Sequence, residues 1–280
     1  MKLKYLGSRI NKSIVLGTIT SLIGFSAQAQ FWQTNHVGAT WSNQYHEPAN
    51  PEQVSKTILN YTHLSGDDYG RNLLVANLYL SDSNDPKADG DGGATEYYVF
   101  YRRYLSYNSF FPEHKIDNSL VRDVNVTLRL DKGLKNSALE PNPTKARVGL
   151  SADFNVPKGY LEAGADWYYE SANNNFTGGR FNFDPTYALW VSFGMPVHDK
   201  GFVDGFIDFI GSTGPGYFNE GAKPSTLLQI NYMYDVGAKG GLKIGVGYEY
   251  FRNKYLIDNQ KDPYGHATHS APYIAARYAF

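Results

Sequence analysis

Aromatic and ionisable side chains that alternate with apolar ones are the residues of this chain best suited to binding chemistry. An aromatic ring offers a flat face on which a base or sugar ring can stack, typically for about 1–3 kcal/mol. Charged and amide groups beside such rings can hydrogen-bond a polar solute. The candidates that share one face of their segments are Arg129, Arg147, Glu162, Asp166, Tyr168, Trp190, Asp204, Phe206, Asp208, Asn231, Glu249, Phe251, Tyr273 and Arg277.

The ionisable candidates carry both signs of charge. A face of mixed charge suits polar uncharged or zwitterionic solutes better than bulky anions. The same charges can also pair with one another and only stabilise the fold, and the aromatic rings can simply pack. Both interpretations stay open from the sequence alone.

The elements that position these candidates are β-strands, because apolar residues recur at every second position. Leu120–Asp131, for example, alternates Val124, Val126, Leu128 and Leu130 with polar residues. Twelve strands are predicted in this way. They are Val37–Tyr45, Val54–Leu64, Gly70–Leu80, Thr95–Tyr107, Leu120–Asp131, Ala146–Asn155, Tyr160–Tyr169, Tyr187–Met195, Val203–Phe209, Leu228–Val236, Leu242–Phe251 and Pro272–Phe280.

The connections between these strands alternate in length. Tight turns are predicted at Val156–Gly159, Val197–Gly201 and Gly237–Gly241. Long polar loops are predicted at Ser171–Pro185, Gly211–Pro224 and Asn253–Ser270. This rhythm and the even strand number predict an all-β fold, a transmembrane antiparallel barrel with short periplasmic turns and long extracellular loops.

One connection does not fit this rhythm. Asn108–Ser119 should be a periplasmic turn but is too long for one, so either it holds a short interfacial segment or the predicted strand ends beside it are displaced by several residues. Closure of the barrel is required, because an unpaired strand edge in hydrocarbon leaves amide groups unsatisfied at several kcal/mol each. Twelve strands enclose a narrow lumen rather than a wide pore.

The start of the chain predicts export. Four basic residues precede a short apolar stretch and a small-x-small site, so residues 1–29 are a predicted signal peptide and residues 30–280 the predicted barrel domain. Loss of the four basic residues moves the formal charge from −1 to −5. A nucleic-acid-binding protein would be basic, so that class of partner is not expected. With no cysteine, disulfides and thiolate chemistry are excluded.

The N-terminal third resembles a known family. The segment ILNYTHLSGDDYGRNLLVANLYLSDSND, from Ile58, and the segment TEYYVFYRRYLS, from Thr95, are similar to the nucleoside-specific channel-forming (Tsx-like) outer-membrane proteins. The likeness includes the turn pattern Gly-x-x-Tyr-Gly-x-Asn at Gly66–Asn72. The resemblance implies a twelve-stranded monomeric barrel and passive uptake of nucleosides, and some relatives serve as phage receptors. The Leu73–Ala76 stretch departs from the family, which is often aromatic there.

Two other classes of function remain as alternatives. A barrel whose flexible loops, such as Asn173–Asn175, act in adhesion or as a phage receptor is the first. An outer-membrane lipid hydrolase is the second, and it would need a lipid-facing Ser and His oriented by Asn. The histidines lie mostly in loops or at strand ends, and we expect none beside a Ser on an outward face, so neither an enzyme nor catalytic residues are expected.

No cofactor or metal is expected either. The pair His266 and His269 lacks further ligands, and we expect both residues to be solvated in a loop. The acidic loop Asp82–Asp91 lacks the spacing of a calcium loop. The expected partners are outer-membrane lipid and lipopolysaccharide, the barrel assembly machinery through Phe280, and a small permeant, a nucleoside by the resemblance. The expected location is the bacterial outer membrane, and the expected state is a monomer.

Overall fold

The computed structural model describes residues 32–116, 118–139, 141–174, 179–215, 221–237 and 241–280. The predicted signal peptide lies outside the described residues. Within them the chain forms thirteen strands. These are β1 (Trp32–Tyr45), β2 (Val54–Asp67), β3 (Gly70–Ser81), β4 (Thr95–Ser106), β5 (Val121–Lys135), β6 (Asn142–Phe154), β7 (Tyr160–Asn174), β8 (Gly179–Asn182), β9 (Thr186–His198), β10 (Gly201–Ile210), β11 (Ser225–Asp235), β12 (Leu242–Arg252) and β13 (His269–Ala279).

Twelve of these strands form a closed antiparallel wall. Each pairs with its neighbours along the chain, and β1 pairs with β13 to complete the ring. The short β8 pairs with the extracellular end of β7 and extends the wall there, while β9 continues the ring beside β7. The predicted twelve-stranded barrel is therefore confirmed.

The seam between β1 and β13 is short. Its register runs from His36 opposite Ala279 to Trp41 opposite Ile274, which is six residue pairs. The next seam, between β1 and β2, has twelve pairs. One further pair of backbone hydrogen bonds joins Asn35 to Phe280. The wall is closed at this seam with fewer hydrogen bonds than at the seam beside it.

The outer surface of the wall is apolar. Leu130 is 64% exposed, Trp167 62% and Ile274 60%, and each belongs to the apolar set of its strand. A continuous apolar belt of this kind is stable against lipid and not against water. The closed wall can lie in lipid because its strands satisfy one another's backbone hydrogen bonds. The chain is a barrel of the bacterial outer membrane.

Several strand ends differ from the prediction. β1 begins at Trp32 rather than Val37, and β5 continues to Lys135 rather than ending at Asp131. The predicted turn Val197–Gly201 is reduced to Asp199 and Lys200, because β9 continues to His198. The predicted loop Ser171–Pro185 is wrong in part, since β7 and β8 pair through it.

The connection between β4 and β5 holds a short helix, α1 (Tyr107–Phe110), and a 3-10 turn at Pro112–His114. The Oγ of Ser106 caps α1 by accepting a hydrogen bond from the backbone N–H of Ser109. Phe110 and Phe111 are half exposed, at 49% and 51%. The length of this connection thus reflects a small folded segment, as expected. No helix in the described ranges is long and apolar enough to cross a membrane.

Candidate functional site

The predicted site residues all lie on the inward face of the wall. Asp204 and Asn231 are 9% exposed, Trp190 is 4% exposed and Tyr168 is fully buried. These side chains are buried because they contact one another across the lumen. Many of them bind residues on strands that are not neighbours in the wall. Their role as solute ligands stays a prediction.

One layer of the lumen brings two arginines, two aspartates and a tryptophan together. We call this layer the central ring, and it consists of Arg102, Arg147, Asp166, Trp190 and Asp208. Both terminal nitrogens of Arg147 donate to Asp208, at 2.7 and 2.8 Å. β6 and β10 are not adjacent in the wall, so this bidentate pair crosses the inside of the barrel. The ring carries no net charge.

The other half of the central ring is built around the indole of Trp190. The guanidinium carbon of Arg102 lies 3.9 Å from the centre of that ring system, in a cation–π contact. Nη2 of Arg102 lies 3.5 Å from Oδ2 of Asp166, a loose ion pair, while Thr127 donates to Oδ1 of the same carboxylate at 2.7 Å. Gly164 permits this packing, because a Cβ at that position would overlap the indole.

Several buried polar atoms of the central ring have no hydrogen-bond partner among the described residues. They are Nε and Nη2 of Arg102, Nε of Arg147, Nε1 of Trp190 and Oδ2 of Asp166. Buried polar groups are nearly always satisfied, by protein, water or ligand. Two of these atoms, Nη2 of Arg102 and Oδ2 of Asp166, face each other in the loose ion pair, which leaves three N–H donors in the ring.

Below the ring, toward the periplasm, lie two further charged layers. Nη2 of Arg71 donates to Asp153 at 2.8 Å and to Glu162 at 3.0 Å. Arg277 donates to Asp204 at 2.7 Å. Asn231 also donates to Asp204, at 2.8 Å, and accepts a hydrogen bond from Tyr273 at 2.7 Å. These layers brace the wall with paired charges.

Above the ring, toward the extracellular side, the remaining candidates are paired too. Arg129 binds Asp131 through two hydrogen bonds, of 2.8 and 2.7 Å. Tyr168 donates to Glu170. Glu249 accepts from Gln229 and lies 2.8 Å from Nε2 of His269, against which Phe251 packs edge-on. Phe206 lies between Asp204 and Asp208 on β10, on the periplasmic side of the ring, and is half buried.

The extracellular mouth holds a second group of charges, which we call the mouth cluster. It consists of Glu47, Lys56, Asp85, Lys135 and Lys254. Glu47 binds all three lysines, with Lys254 at 2.6 Å and Lys135 at 3.0 Å, and Lys135 also reaches Asp85 at 2.9 Å. Burial alone opposes ionisation of Glu47, but the three ammonium groups outweigh it and hold the pKa of Glu47 well below its usual range.

The cluster binds a segment of the last extracellular loop that turns inward. This mouth strap is Lys254–Leu256, in which Lys254 and Leu256 are buried and the hydroxyl of Tyr255 lies 3.5 Å from Glu96. Burial, with the nearby carboxylates, raises the pKa of Tyr255 well above its usual value. Asn253, Tyr255 and Leu256 all have φ between 54° and 62°, which is costly for residues with a Cβ. Asn253–Ser270 is predicted as a long polar loop, and this segment of the loop turns into the lumen.

A cavity of about 560 Å³ at the mouth is bordered by residues of both the strap and the cluster. Its lining is formed largely by proline and aliphatic residues, among them Pro48, Pro86 and Ile257, together with Glu47, Asp85 and Lys135. Small-molecule sites commonly have volumes of this order and this combination of apolar walls with a few polar groups.

The histidines differ in part from the prediction. His269 is 3% exposed and bound to Glu249, so it is not a solvated loop residue. His266 packs against His46, with 4.1 Å between the ring centres and 43° between the ring planes. His63 lies within β2 on the outward face with Ser65, and its Nδ1 is 2.8 Å from Oδ1 of Asn35, so the expectation that no histidine lies beside an outward Ser is wrong.

This outward group is nevertheless not assembled as a nucleophile and a base. Ser65 is only 4% exposed, and the described contacts include no hydrogen bond between its hydroxyl and His63. A nucleophilic serine needs both access to substrate and a base within reach.

The sequence interpretation missed Arg71, Arg102 and most of the mouth cluster. Arg102 lies in a segment with aromatic residues on both faces, so alternation does not mark its inward face. Lys56 and Lys135 end strands near the mouth, where a lysine is ordinarily solvated. The run of aromatic residues around Arg102 and Arg103 is the signal in the sequence that could have marked this segment as part of a binding surface.

Comparisons with known proteins find solved barrel structures whose sequence identity to this chain is low. KdgM porin, solved in complex with disordered oligogalacturonate, is 10% identical at a TM-score of 0.45, and the match covers 88% of this chain and 99% of that chain. NanC porin is 11% identical at 0.44, with the same coverage. The translocator domain of autotransporter NalP from Neisseria meningitidis is 12% identical at 0.43, covering 96% of each chain.

No family model matches the sequence, and no curated protein matches it. Membership of the nucleoside-specific channel family therefore stays a prediction. The barrel architecture is established by the strand pairing of this chain itself.

Proposed function

We propose that this barrel is a narrow outer-membrane channel for the passive diffusion of small polar solutes, with nucleosides as the favoured class. The central ring carries this proposal. It places an indole, two guanidinium groups and two carboxylates in the lumen of a closed wall.

The dimensions and charge of the lumen favour small neutral solutes. Side chains of the central ring meet across the barrel, so a bulky molecule cannot pass without breaking several ion pairs. The ring carries two positive and two negative groups, which gives little net attraction for an anion. A nucleoside is neutral and presents a flat base that can take the place of Arg102 on the indole of Trp190. The resemblance around Gly66–Asn72 supports the same class.

We further propose that the chain acts as a monomer, without a cofactor or a metal, and is not an enzyme. The arrangement of Ser65 and His63 supports the last point. The apolar belt would contact outer-membrane lipid and, near the mouth, lipopolysaccharide. Phe280, which is 64% exposed at the periplasmic rim, is available to the barrel assembly machinery.

Planar-bilayer recording tests the channel directly. We expect ionic conductance that falls when a nucleoside is added, and weaker block in Trp190→Ala and Phe206→Ala. Trp167→Ala is the matched control, because that tryptophan is outward and 62% exposed. Unchanged block in both lumen variants would remove them from the site. Hydrolysis of phospholipid by the pure protein would favour the enzyme instead, and the absence of both activities would favour a loop-mediated surface role.

A further inference from the structure

The lower edge of the apolar belt is uneven around the barrel. On β6, β9 and β12 the outward residues a few positions from the periplasmic strand ends are apolar, namely Leu150, Met195 and Ile244, and each is exposed. Across β1 to β4 the corresponding outward residues are polar, and they are Asn35, His63, Ser65, Asn72 and Arg103. We call these residues, together with Asp67, the rim patch. His63 lies four positions from Asp67, so the patch rises about 13 Å along its strand.

The rim patch is ordered by hydrogen bonds among its own side chains. Both terminal nitrogens of Arg103 donate to Asp67, at 2.6 and 2.8 Å. Nδ1 of His63 lies 2.8 Å from Oδ1 of Asn35, and that oxygen also accepts from Tyr61 at 3.0 Å. The patch therefore presents a fixed set of polar groups on the face of the wall that contacts the bilayer.

These contacts leave hydrogen-bonding groups of both kinds available. A guanidinium has five N–H groups, and Asp67 accepts from two of those of Arg103, so three remain. Because Oδ1 of Asn35 is an acceptor, the neutral ring of His63 carries its proton on Nδ1, and Nε2 is an acceptor. No hydrogen bond from the described residues reaches that Nε2. The patch thus combines free donors at Arg103 with a carboxylate and an imidazole nitrogen that accept.

The same strands become apolar directly above the rim patch, toward the centre of the bilayer. Val37 and Leu59 are both 43% exposed there. Tyr61 and Tyr101 mark the boundary, because their hydroxyls donate toward the periplasm, to Asn35 at 3.0 Å and to Asn72 at 2.5 Å. Polar groups at the rim with an apolar strip above them follow the order of head group and acyl chains in a phospholipid of the periplasmic leaflet. A second copy of the chain would not require that order.

We propose that the rim patch binds the head group of a zwitterionic aminophospholipid of the periplasmic leaflet. The free N–H groups of Arg103 donate to the phosphate. Asp67 and Nε2 of His63 accept from the ammonium group, and the acyl chains lie along Leu59 and its apolar neighbours. Arg103 and Asp67 neutralise each other, so the patch gives an anionic phospholipid no net attraction.

The test is native mass spectrometry of the purified barrel, released from detergent after addition of one synthetic lipid. Phosphatidylethanolamine is compared with phosphatidylglycerol, which is anionic, and with phosphatidylcholine, whose ammonium group has no N–H. We expect one molecule of phosphatidylethanolamine to stay bound under conditions that remove the other two. Arg103→Gln should weaken its binding at least about tenfold, because charge-assisted hydrogen bonds to the phosphate are lost.

Two further variants make the result specific to the rim patch. Arg122→Gln is the matched control, since Arg122 is an exposed arginine near the periplasmic start of β5 and lies outside the patch. It removes the same charge and should leave lipid binding unchanged. Arg103→Gln leaves Asp67 without its partner, so Asp67→Asn combined with Arg103→Gln is measured beside it. The double variant should lose the lipid to the same extent, with an unchanged unfolding temperature in detergent.

Three results would overturn the inference. They are retention of either other lipid as strongly as phosphatidylethanolamine, binding that survives both Arg103 variants, and a dimer that Arg103→Gln dissociates, which would assign the patch to a second copy instead. Lipid retention is measured without reference to conductance. The inference therefore stands or fails separately from the proposed channel function.

Discussion

Glu47 is the residue whose replacement should open the mouth. It is the only residue of the mouth cluster that binds all three lysines, and it lies on the first extracellular loop, opposite the strap. Glu47→Gln keeps the shape of the side chain but removes its charge. Three buried ammonium groups would then have Asp85 as the remaining acid of the cluster.

The size of the effect follows from the burial of the cluster. Removing one partner of a buried ion pair costs about 3–5 kcal/mol. If the strap leaves the lumen, Lys254 becomes hydrated again and no longer carries the cost of an unpaired buried charge. The positive φ angles of Asn253, Tyr255 and Leu256 can then relax as well. At 1.36 kcal/mol per factor of ten, the ratio of closed to open strap should fall roughly 150-fold to 5,000-fold.

Two measurements on the purified protein check this prediction. We expect a larger single-channel conductance in planar bilayers and little change in the temperature at which the barrel unfolds in detergent, because the wall keeps its hydrogen bonds. Glu52→Gln is the control, since Glu52 lies on the same loop but is exposed. A lower unfolding temperature with unchanged conductance would refute the reasoning, because the cluster would then stabilise the wall rather than the strap.

Four further outcomes are expected. Gly164→Ala should weaken nucleoside block by displacing Trp190, whereas Gly179→Ala, where a Cβ meets open space, should not. Burial, and then His266, lower the pKa of His46 below its usual 6.5, so the contact between the two rings is complete above pH 6.5 and is lost as the pH falls through the folded pKa of His46. Conductance should rise at that pH, and His46→Phe should abolish the rise. The mouth strap should stay bound to Glu47 until well below pH 4.5. The pKa of Glu47 is lower in the folded protein than its usual 4.5, so its ion pairs are complete above pH 4.5 and are lost only as the pH falls through the lowered pKa. Leu128→Arg, in the middle of β5, should destabilise the barrel in lipid by about 2–4 kcal/mol, and Leu120→Arg, outside the strand, by less, as equilibrium unfolding would measure.

The outward face could be predicted from the sequence because lipid imposes one simple requirement on every second residue. Val126, Leu128 and Leu130 alternate with polar residues whatever their neighbours are, so the strands and their number were predictable. The strand ends were less so, since β7 and β8 continue beyond the membrane, where the alternation no longer has to be apolar.

The interior could be predicted only as a set of residues, not as an arrangement. Arg147 and Asp208 are 61 positions apart and meet only because the wall closes. The inward position of the mouth strap could not be predicted either. A lysine in a polar loop, such as Lys254, is ordinarily exposed, and Glu47, which binds it, is 207 positions away. Contacts of this kind depend on barrel curvature, which no local pattern records.

The short seam between the first and last strands has a consequence for how this protein is made and taken apart. With six residue pairs holding β1 to β13, the ring is fastened most weakly where its two ends meet, compared with the twelve pairs between β1 and β2. A sheet that is already complete elsewhere can accept its final strand there at little cost. Under a pulling force or at high temperature, the same line is where the cylinder would unzip and flatten first.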